Sequence, residues 1–378
     1  MFISFITRRR APRTDAAERF AVATQLQLTW WRFKRHRLAM VSGVVVILFY
    51  LVALSADFLA TTDPHATDAR TSYIGPQPIH LFEADGSFHP YVNGLKGVRD
   101  PKTFKLVYTV DPSRHVYLQF FGSGYPYSFL GFTTDIHLFS LKNPERGDGI
   151  FILGTDLLGR DVWSRLMVAT RVSLTIGLLG VSISLFLGVL LGGVSAIYGG
   201  VVDTAIQRLI EVVRSMPTIP LWLGLSAALP NDWSVTQIYF SITVIISLLA
   251  WTDLARVVRG RFLALREEDF VMAAELAGAS TGRIIFRHML PSFLSHIIAA
   301  VSLALPAMII SETMLSFLGL GLRPPAISWG ILLQDAQSIQ TLALAPWLLI
   351  PGLVVIVSVL AFNLVGDGLR DAADPYSH

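Results

Sequence analysis

Chemistry inside an apolar chain needs reactive side chains set against one another, and this sequence offers few such settings. Its nine histidines include no HExxH pattern and no close pair of ligands, so the spacing that holds a metal ion on one helix face is missing. His288 and His296 read as structural or interfacial. Cysteine is absent, which excludes disulfides, thiolate zinc sites and cysteine nucleophiles. Lys34, Lys96, Lys102, Lys105 and Lys142 all stand outside any GxxxxGK[ST] stretch, so nucleotide phosphates have no loop of that kind to bind. An intramembrane hydrolase would need a nucleophile and a base buried together. Ser311 and His296 are of the right types, but neither a nucleophile elbow nor a paired base accompanies them. Glu312 lies near the end of an apolar run, where a carboxylate is costly unless it faces water or accepts a helix–helix hydrogen bond.

The elements that must position these residues are apolar. Hydrophobic residues make up 53% of the chain and charged residues 15%, against about 25% charged in an ordinary soluble domain. These are the proportions of a membrane protein. Runs long enough to cross a hydrocarbon core of about 30 Å, at about 20 residues each, occur at Leu38 to Ala60, Val172 to Ile197, Ile238 to Trp251, Phe293 to Leu318 and Leu344 to Val365. Another is Ile219 to Leu229, with its upstream turn from Ile206. About six spans follow, and an even number puts both termini on one side.

Basic residues in short flanking segments are held in the cytoplasm. Arg32, Lys34, Arg35 and Arg37 precede the first span, and Arg256, Arg259, Arg261, Arg266, Arg283 and Arg287 occupy the 252–292 loop, whereas Gly319 to Thr341 holds only Arg323. Both termini and the 252–292 loop are therefore expected inside. The net charge of +3 is a topology signal, and no nucleic-acid partner is needed to explain it. The first apolar run starts late and is too long for a signal-peptide core, so it is expected to remain as a span. Before it, Thr29 to Arg37 places a Trp pair beside a basic cluster, the arrangement that anchors a helix end at the headgroups.

The stretch from Thr61 to Arg165 is too long for an ordinary connection and is expected to carry its own structure. Lys105 to Val110 and His115 to Phe121 flank Asp111-Pro112-Ser113-Arg114, a pattern that predicts two strands joined by a type I turn. Tyr125, Tyr127, Phe129, Phe132 and Phe139 continue it, either as core or as a contact surface. Inside the second span, Ser184, Gly188 and Gly192 recur every four residues and predict a small-residue face that admits another helix closely. Arg208, Glu211, Arg214 and Pro217 open the third span, where snorkelling or mutual pairing lowers the cost of the charges.

Between the fourth and fifth runs, Asp269 to Pro291 forms a polar, helix-forming elbow. Asp269, the pair Ala273 and Ala274, then Gly278 and Ala279, then Arg287 and Leu290-Pro291 predict a short helix, a glycine stop and a second short helix ending at a proline. An amphipathic connector would also fit. This segment resembles the cytoplasmic coupling loop of ABC-importer permeases, in which an Ala-Ala pair precedes a Gly and, further on, a Leu-Pro; the family's namesake Glu is Met272 here.

Upstream, Leu153 to Leu166, LGTDLLGRDVWSRL, resembles the segment before the second span in permeases of the dipeptide, oligopeptide and nickel importers. There Asp156 and Asp161 can cap short helices, while Arg160 and Arg165 can reach headgroups or acidic neighbours. Tyr198-Gly199-Gly200 with Asp203, Ser311-Glu312 leading into Leu315 to Gly321, Pro324-Pro325, Trp329-Gly330, and Gly366 to Asp371 with Asp374-Pro375 are similar to that family as well. The likeness runs from Leu153 to Pro375 and is weaker across the first span, and 61–152 looks like an enlarged variable loop.

The resemblance implies an all-α polytopic membrane protein with a MetI-like permease core and a β-containing extracytoplasmic insertion. Its parts would be a cytoplasmic segment 1–37, a first span 38–60, an insertion and pre-helix segment 61–165, a core 166–366 with a coupling loop 258–292, and a cytoplasmic tail 367–378. It implies a transport subunit and not an enzyme, with no cofactor of its own. ATP and Mg would be bound by two separate ATPase subunits, a second homologous permease would complete the path through the inner membrane, and an extracytoplasmic solute-binding protein would deliver peptides or related solutes. Glu312 and Ser316 are then candidates for the translocation pathway or its outer gate. A membrane-anchored receptor built on the outer insertion is the alternative; it leaves the polar elbow unexplained.

Overall fold

The structure is a computed structural model that describes residues 25–83, 85–99, 106–129, 131–142, 148–230 and 232–373. Residues 1–24, Lys102, Lys105 and the Asp374-Pro375 pair of the tail lie outside the described residues. In chain order the helices are α1 Gln25–Phe33, α2 Arg37–Leu54, α3 Ala56–Leu59, α4 Val162–Tyr198, α5 Gly200–Ser215, α6 Thr218–Ala227, α7 Val235–Leu265, α8 Asp269–Leu276, α9 Thr281–Arg283, α10 Leu290–Ser292, α11 Leu294–Phe317, α12 Trp329–Asp335, α13 Ile339–Leu344 and α14 Ile350–Ala373. Strands β1 His80–Phe82, β2 Phe88–Arg99, β3 Leu106–Phe129 and β4 Phe132–Leu141 stand between α3 and α4.

Among the described residues, five helical segments are long and apolar enough to cross a membrane: Arg37–Leu54, Val162–Tyr198, Val235–Leu265, Ile297–Phe317 and Pro346–Ala373. The sixth expected span differs. It is divided at Met216–Pro217, where the backbone is extended, into α5 and the ten-residue apolar helix α6. At 1.5 Å per residue α6 reaches about 15 Å, half of a hydrocarbon core. Proline has no N–H to donate to the preceding turn, which is why one continuous helix does not form there. The fourth span outruns its apolar run at both ends, and Ser234 and Gln237 make the reciprocal cap that starts α7 at Val235.

The small-residue face of α4 meets α7 as its spacing requires. A Cβ on Gly188 would come within 2.9 Å of the Leu254 side chain, and one on Gly192 within 2.5 Å of the Ala255 carbonyl oxygen. Ser184 Oγ donates to the Ser247 carbonyl at 3.2 Å on the same seam. Phe33 of α1 is buried against Ala39 and Ala372, so the aromatic segment before the first span also packs on the last helix.

The sheet has the antiparallel order β1-β2-β3-β4 and corrects the hairpin expected at Asp111 to Arg114. Asp111 Oδ1 does accept from Ser113 N at 3.0 Å and from Ser113 Oγ at 2.6 Å, so the local turn forms. The chain does not reverse there. Gly94 pairs with Asp111 and Asn93 with His115, so both flanks run along β2 and Pro112 to Arg114 bulge out of one long strand. Arg114 holds the bulge over Gly94 by pairing with Asp148 and donating to the Leu95 carbonyl at 3.2 Å. His137 fixes the sheet to α3 after the first span, with Nδ1 at 2.8 Å from the Asp57 carbonyl and Nε2 at 2.9 Å from the Tyr125 carbonyl.

The close seam gives a direct test. Gly192→Val forces α4 from α7 and is expected to lower the thermal midpoint of the purified protein by an amount corresponding to about 1–3 kcal/mol or more. Gly224→Ala, where a Cβ meets nothing within 4 Å, is expected to leave it unchanged. Equal midpoints for both variants would refute the seam.

Candidate functional site

The elbow after α7 is built on a glycine in the left-handed region. Gly278 has φ +76°; its N–H donates to the Glu275 carbonyl at 2.9 Å, and Ala279 N–H donates to the Ala274 carbonyl at 3.0 Å. This pair of bonds is the helix stop that a residue without Cβ makes at low cost. The second helix is continuous through α9, a wider π-helical segment Ile284–Met289, and α10. It passes Pro291 and stops at Phe293, where φ is −124°. The proline is carried inside the last turn and is not the stop itself. The wide turn accommodates it, since Leu290 N–H already reaches back to the Ile285 carbonyl.

Two faces result. Val271, Ala274, Ile284, Ile285 and Met289 are buried and pack on Val258, Phe262 and Phe293 at the ends of the spans. Asp269, Ala273, Gly278, Arg287 and Pro291 are exposed, while Ala279 and Leu290 are half-buried. Phe270, Met272, Phe286 and above all Leu276, at 91% exposure, stand on the open face. Together they make an exposed apolar surface on the double helix, of the kind that marks a contact with another protein. Met272, the departure from the family pattern, is on that surface.

Behind the elbow, Arg259 closes on Asp203, with Nε at 2.6 Å from Oδ1 and Nη2 at 2.5 Å from Oδ2. Ser195 Oγ donates to the same carboxylate. The guanidinium holds the Asp203 carboxyl below the usual carboxylate range. This bidentate pair ties α5 to α7. The sequence places Asp203 after the Tyr198-Gly199-Gly200 turn and Arg259 in the 252–292 loop without pairing them, since nothing local signals a bond between two helices.

Glu312 and Ser316 are wholly buried at 0% exposure and so border no open surface of the chain. Ser173 Oγ donates to Glu312 at 3.0 Å and Ser316 Oγ donates to it at 2.8 Å. The same hydroxyls accept from Trp329 N–H at 3.2 Å and Leu322 N–H at 3.1 Å. The carboxylate therefore joins α4, α11 and the 320s segment. Ser311 Oγ donates to the Ala307 carbonyl at 2.7 Å, a bond within its own helix.

The Leu153 to Leu166 segment resolves into caps and ion pairs. Asp161 caps α4, accepting from Ser164 N–H at 2.8 Å and Trp163 N–H at 3.3 Å. Burial pushes its carboxyl up to about 6 although these groups and Thr61 donate to it. Asp156 closes a turn by accepting from Leu158 N–H at 2.9 Å and Arg160 N–H at 3.0 Å. Arg165, 2% exposed, bridges Asp156 at 2.6 Å and Asp335 at 2.9 Å, and Arg160 joins the same two carboxylates. The arginines thus choose acidic neighbours over headgroups. Asp335, from α12, is the member that the sequence did not single out.

A cavity of about 540 Å³ opens between α4, the α5–α6 break, α7 and α11, lined among others by Trp222, Ile246, Ala250 and Met308. Arg214 and Asp253 form an ion pair at its wall, and Arg208 pairs with Glu211 at 2.7 Å, so the charges at the start of the expected third span are mutually compensated.

Comparison with known proteins follows this geometry. Residues 184–376 match the family described as binding-protein-dependent transport system inner membrane component, and residues 24–76 match the N-terminal TM domain of oligopeptide transport permease C. The chain is 31% identical to the dipeptide transport system permease protein of Lactococcus lactis subsp. cremoris over 96% of this chain and 94% of that protein. It is 35% identical to the oligopeptide transport system permease protein of Bacillus subtilis over 63% of this chain and 75% of that protein. The counterpart in Haemophilus influenzae is 38% identical over 60% of this chain and 71% of its own length.

The buried carboxylate yields a prediction that separates a joint from a pathway group. Glu312→Ala strands two buried hydroxyls and is expected to destabilise the protein by about 2–4 kcal/mol, with Glu312→Gln intermediate, read as thermal midpoints in detergent. An unchanged midpoint in Glu312→Ala together with lost uptake would instead make Glu312 a pathway residue.

Proposed function

Because the chain belongs to the family of binding-protein-dependent transport system inner membrane components, we propose that it forms half of the translocation path of an ATP-driven peptide importer and takes its drive through the 269–291 elbow. It is a multi-pass transmembrane permease subunit and not an enzyme. Two ATPase subunits would bind ATP and Mg, a second permease would complete the path, and a binding protein would bring cargo to the outer face. Oligopeptides and dipeptides are the cargo that the relatives' names indicate.

The observation that carries the reading is the two-faced elbow. Its inner face is fused to the ends of α7 and α11 through Phe262, Met289 and Phe293, so a push on the exposed face moves spanning helices as rigid bodies. ATP binding in the partner subunits supplies that push, and Asp203–Arg259 passes it to α5. Asp269, Ala273, Gly278 and Arg287 would meet the ATPase directly, whereas Ala274, Ala279, Leu290 and Pro291 shape the elbow. The positive residues of 252–292 put this face in the cytoplasm along with both termini, and leave the sheet outside, where a binding protein arrives.

Two measurements test this. Gly278→Val has open space for its side chain but a backbone that a β-branched residue resists. Transport and transport-coupled ATPase activity are expected to fall several-fold while the amount inserted in the membrane stays constant; normal coupling would count against the elbow as the drive point. For orientation, cysteines at Ser113 and Ser280, both exposed, are introduced singly into a chain that has none. A membrane-impermeant thiol reagent on intact spheroplasts is expected to label position 113 and spare 280, and the reverse pattern would overturn the topology.

A further inference from the structure

The cavity between the α5–α6 break, α7 and α11 has apolar walls and one pair of opposite charges. Arg214 and Asp253 are 41% and 75% exposed at the side chain and border the cavity with Trp222, Ile246 and Met308. Hydrocarbon makes each such charge costly, so this open side faces water or another subunit. The hydroxyls of Thr252 and Ser311 on the same wall are spent on the Leu249 and Ala307 carbonyls at 2.9 and 2.7 Å. The Trp222 indole N–H has no acceptor. Recognition here therefore falls to one positive and one negative group, paired with each other at the cavity wall, amid walls with little chemical selectivity.

That combination fits a molecule whose two ends are fixed and charged while its middle varies. We propose that this cavity holds the cargo in transit, with Arg214 on the carboxylate end and Asp253 on the ammonium end of a zwitterionic peptide. The proposal rests on the reading of the chain as a peptide permease subunit and adds the site and its recognition chemistry. An ion pair this exposed is weak, so it opens readily. Insertion of the cargo exchanges one ion pair for two and leaves no charge uncompensated. A volume of about 540 Å³ lies within the range of about 300–1,000 Å³ for small-ligand sites. The apolar walls accept side chains of any type through area alone.

The test uses the assembled transporter, with its partner subunits, in nanodiscs. Ala250→Cys places a single thiol on the cavity wall, and its modification rate is read with and without millimolar trialanine. Trialanine is expected to slow labelling several-fold, N-acetyl-trialanine amide to leave it unchanged, and Arg214→Gln or Asp253→Asn to abolish the protection. Arg214→Lys and Asp253→Glu keep the charges and are expected to retain it, which separates recognition from a folding defect. Equal protection by the blocked peptide, protection that persists in both neutral variants, or no protection at all would overturn the proposal. ATP-driven trialanine uptake in the same preparation distinguishes the failures. Uptake without protection removes only this site, whereas no uptake removes the peptide-import reading as well.

Discussion

A polar group inside hydrocarbon has no water to fall back on, so each must find its partner within the protein. That requirement places the joints of this molecule. Ser184 bonds across to α7, Glu312 gathers hydroxyls from α4 and α11, and Trp329 Nε1 donates to Thr170 Oγ1 at 3.2 Å. Apolar side chains tell helices only that they are in lipid, since the tails are as apolar as leucine. Small residues and satisfied polar groups then decide which helix lies against which, and the rest of the packing follows from those few seams.

The two ends of the bundle are held in different ways. Toward the sheet end, Arg160 and Arg165 share Asp156 and Asp335, Asp57 pairs with Arg171, and His137 binds the sheet to α3. Arg165 is buried, so loss of one carboxylate there strands a charge, and such networks resist opening. At the elbow end the ties are fewer. Asp203–Arg259 is partly exposed, and the elbow rests on apolar contacts that can move as a unit.

What could be read in the sequence was local or periodic. The Gly278 stop, the Asp161 cap and the Ser184, Gly188 and Gly192 face each depend on a few neighbouring residues, and each stands where its pattern put it. The hairpin at Asp111 to Arg114 failed because a turn and a bulge share the same short residues; Arg114 reaching Asp148 and Leu95 decides between them, and that contact is not local. Asp203 with Arg259, Arg214 with Asp253 and Arg165 with Asp335 were invisible for the same reason. Charges in an apolar chain announce that a partner exists, and only the fold names it.

The break at Met216–Pro217 shows how such a local rule shapes the path itself. Had α5 and α6 run on as one helix, it would have covered the flank of α7 and α11. Pro217 and Pro220 withhold two N–H groups within one turn, and the chain bends where the first of them removes its bond. Arg214, one turn before the bend, is thereby aimed at Asp253 on α7, and Trp222, one turn beyond it, lines the cavity with its indole unpaired. A sequence feature that looks like a weak span thus leaves an open chamber at membrane depth, bordered by irregular backbone of the kind that lipid excludes and an aqueous or protein-lined passage tolerates.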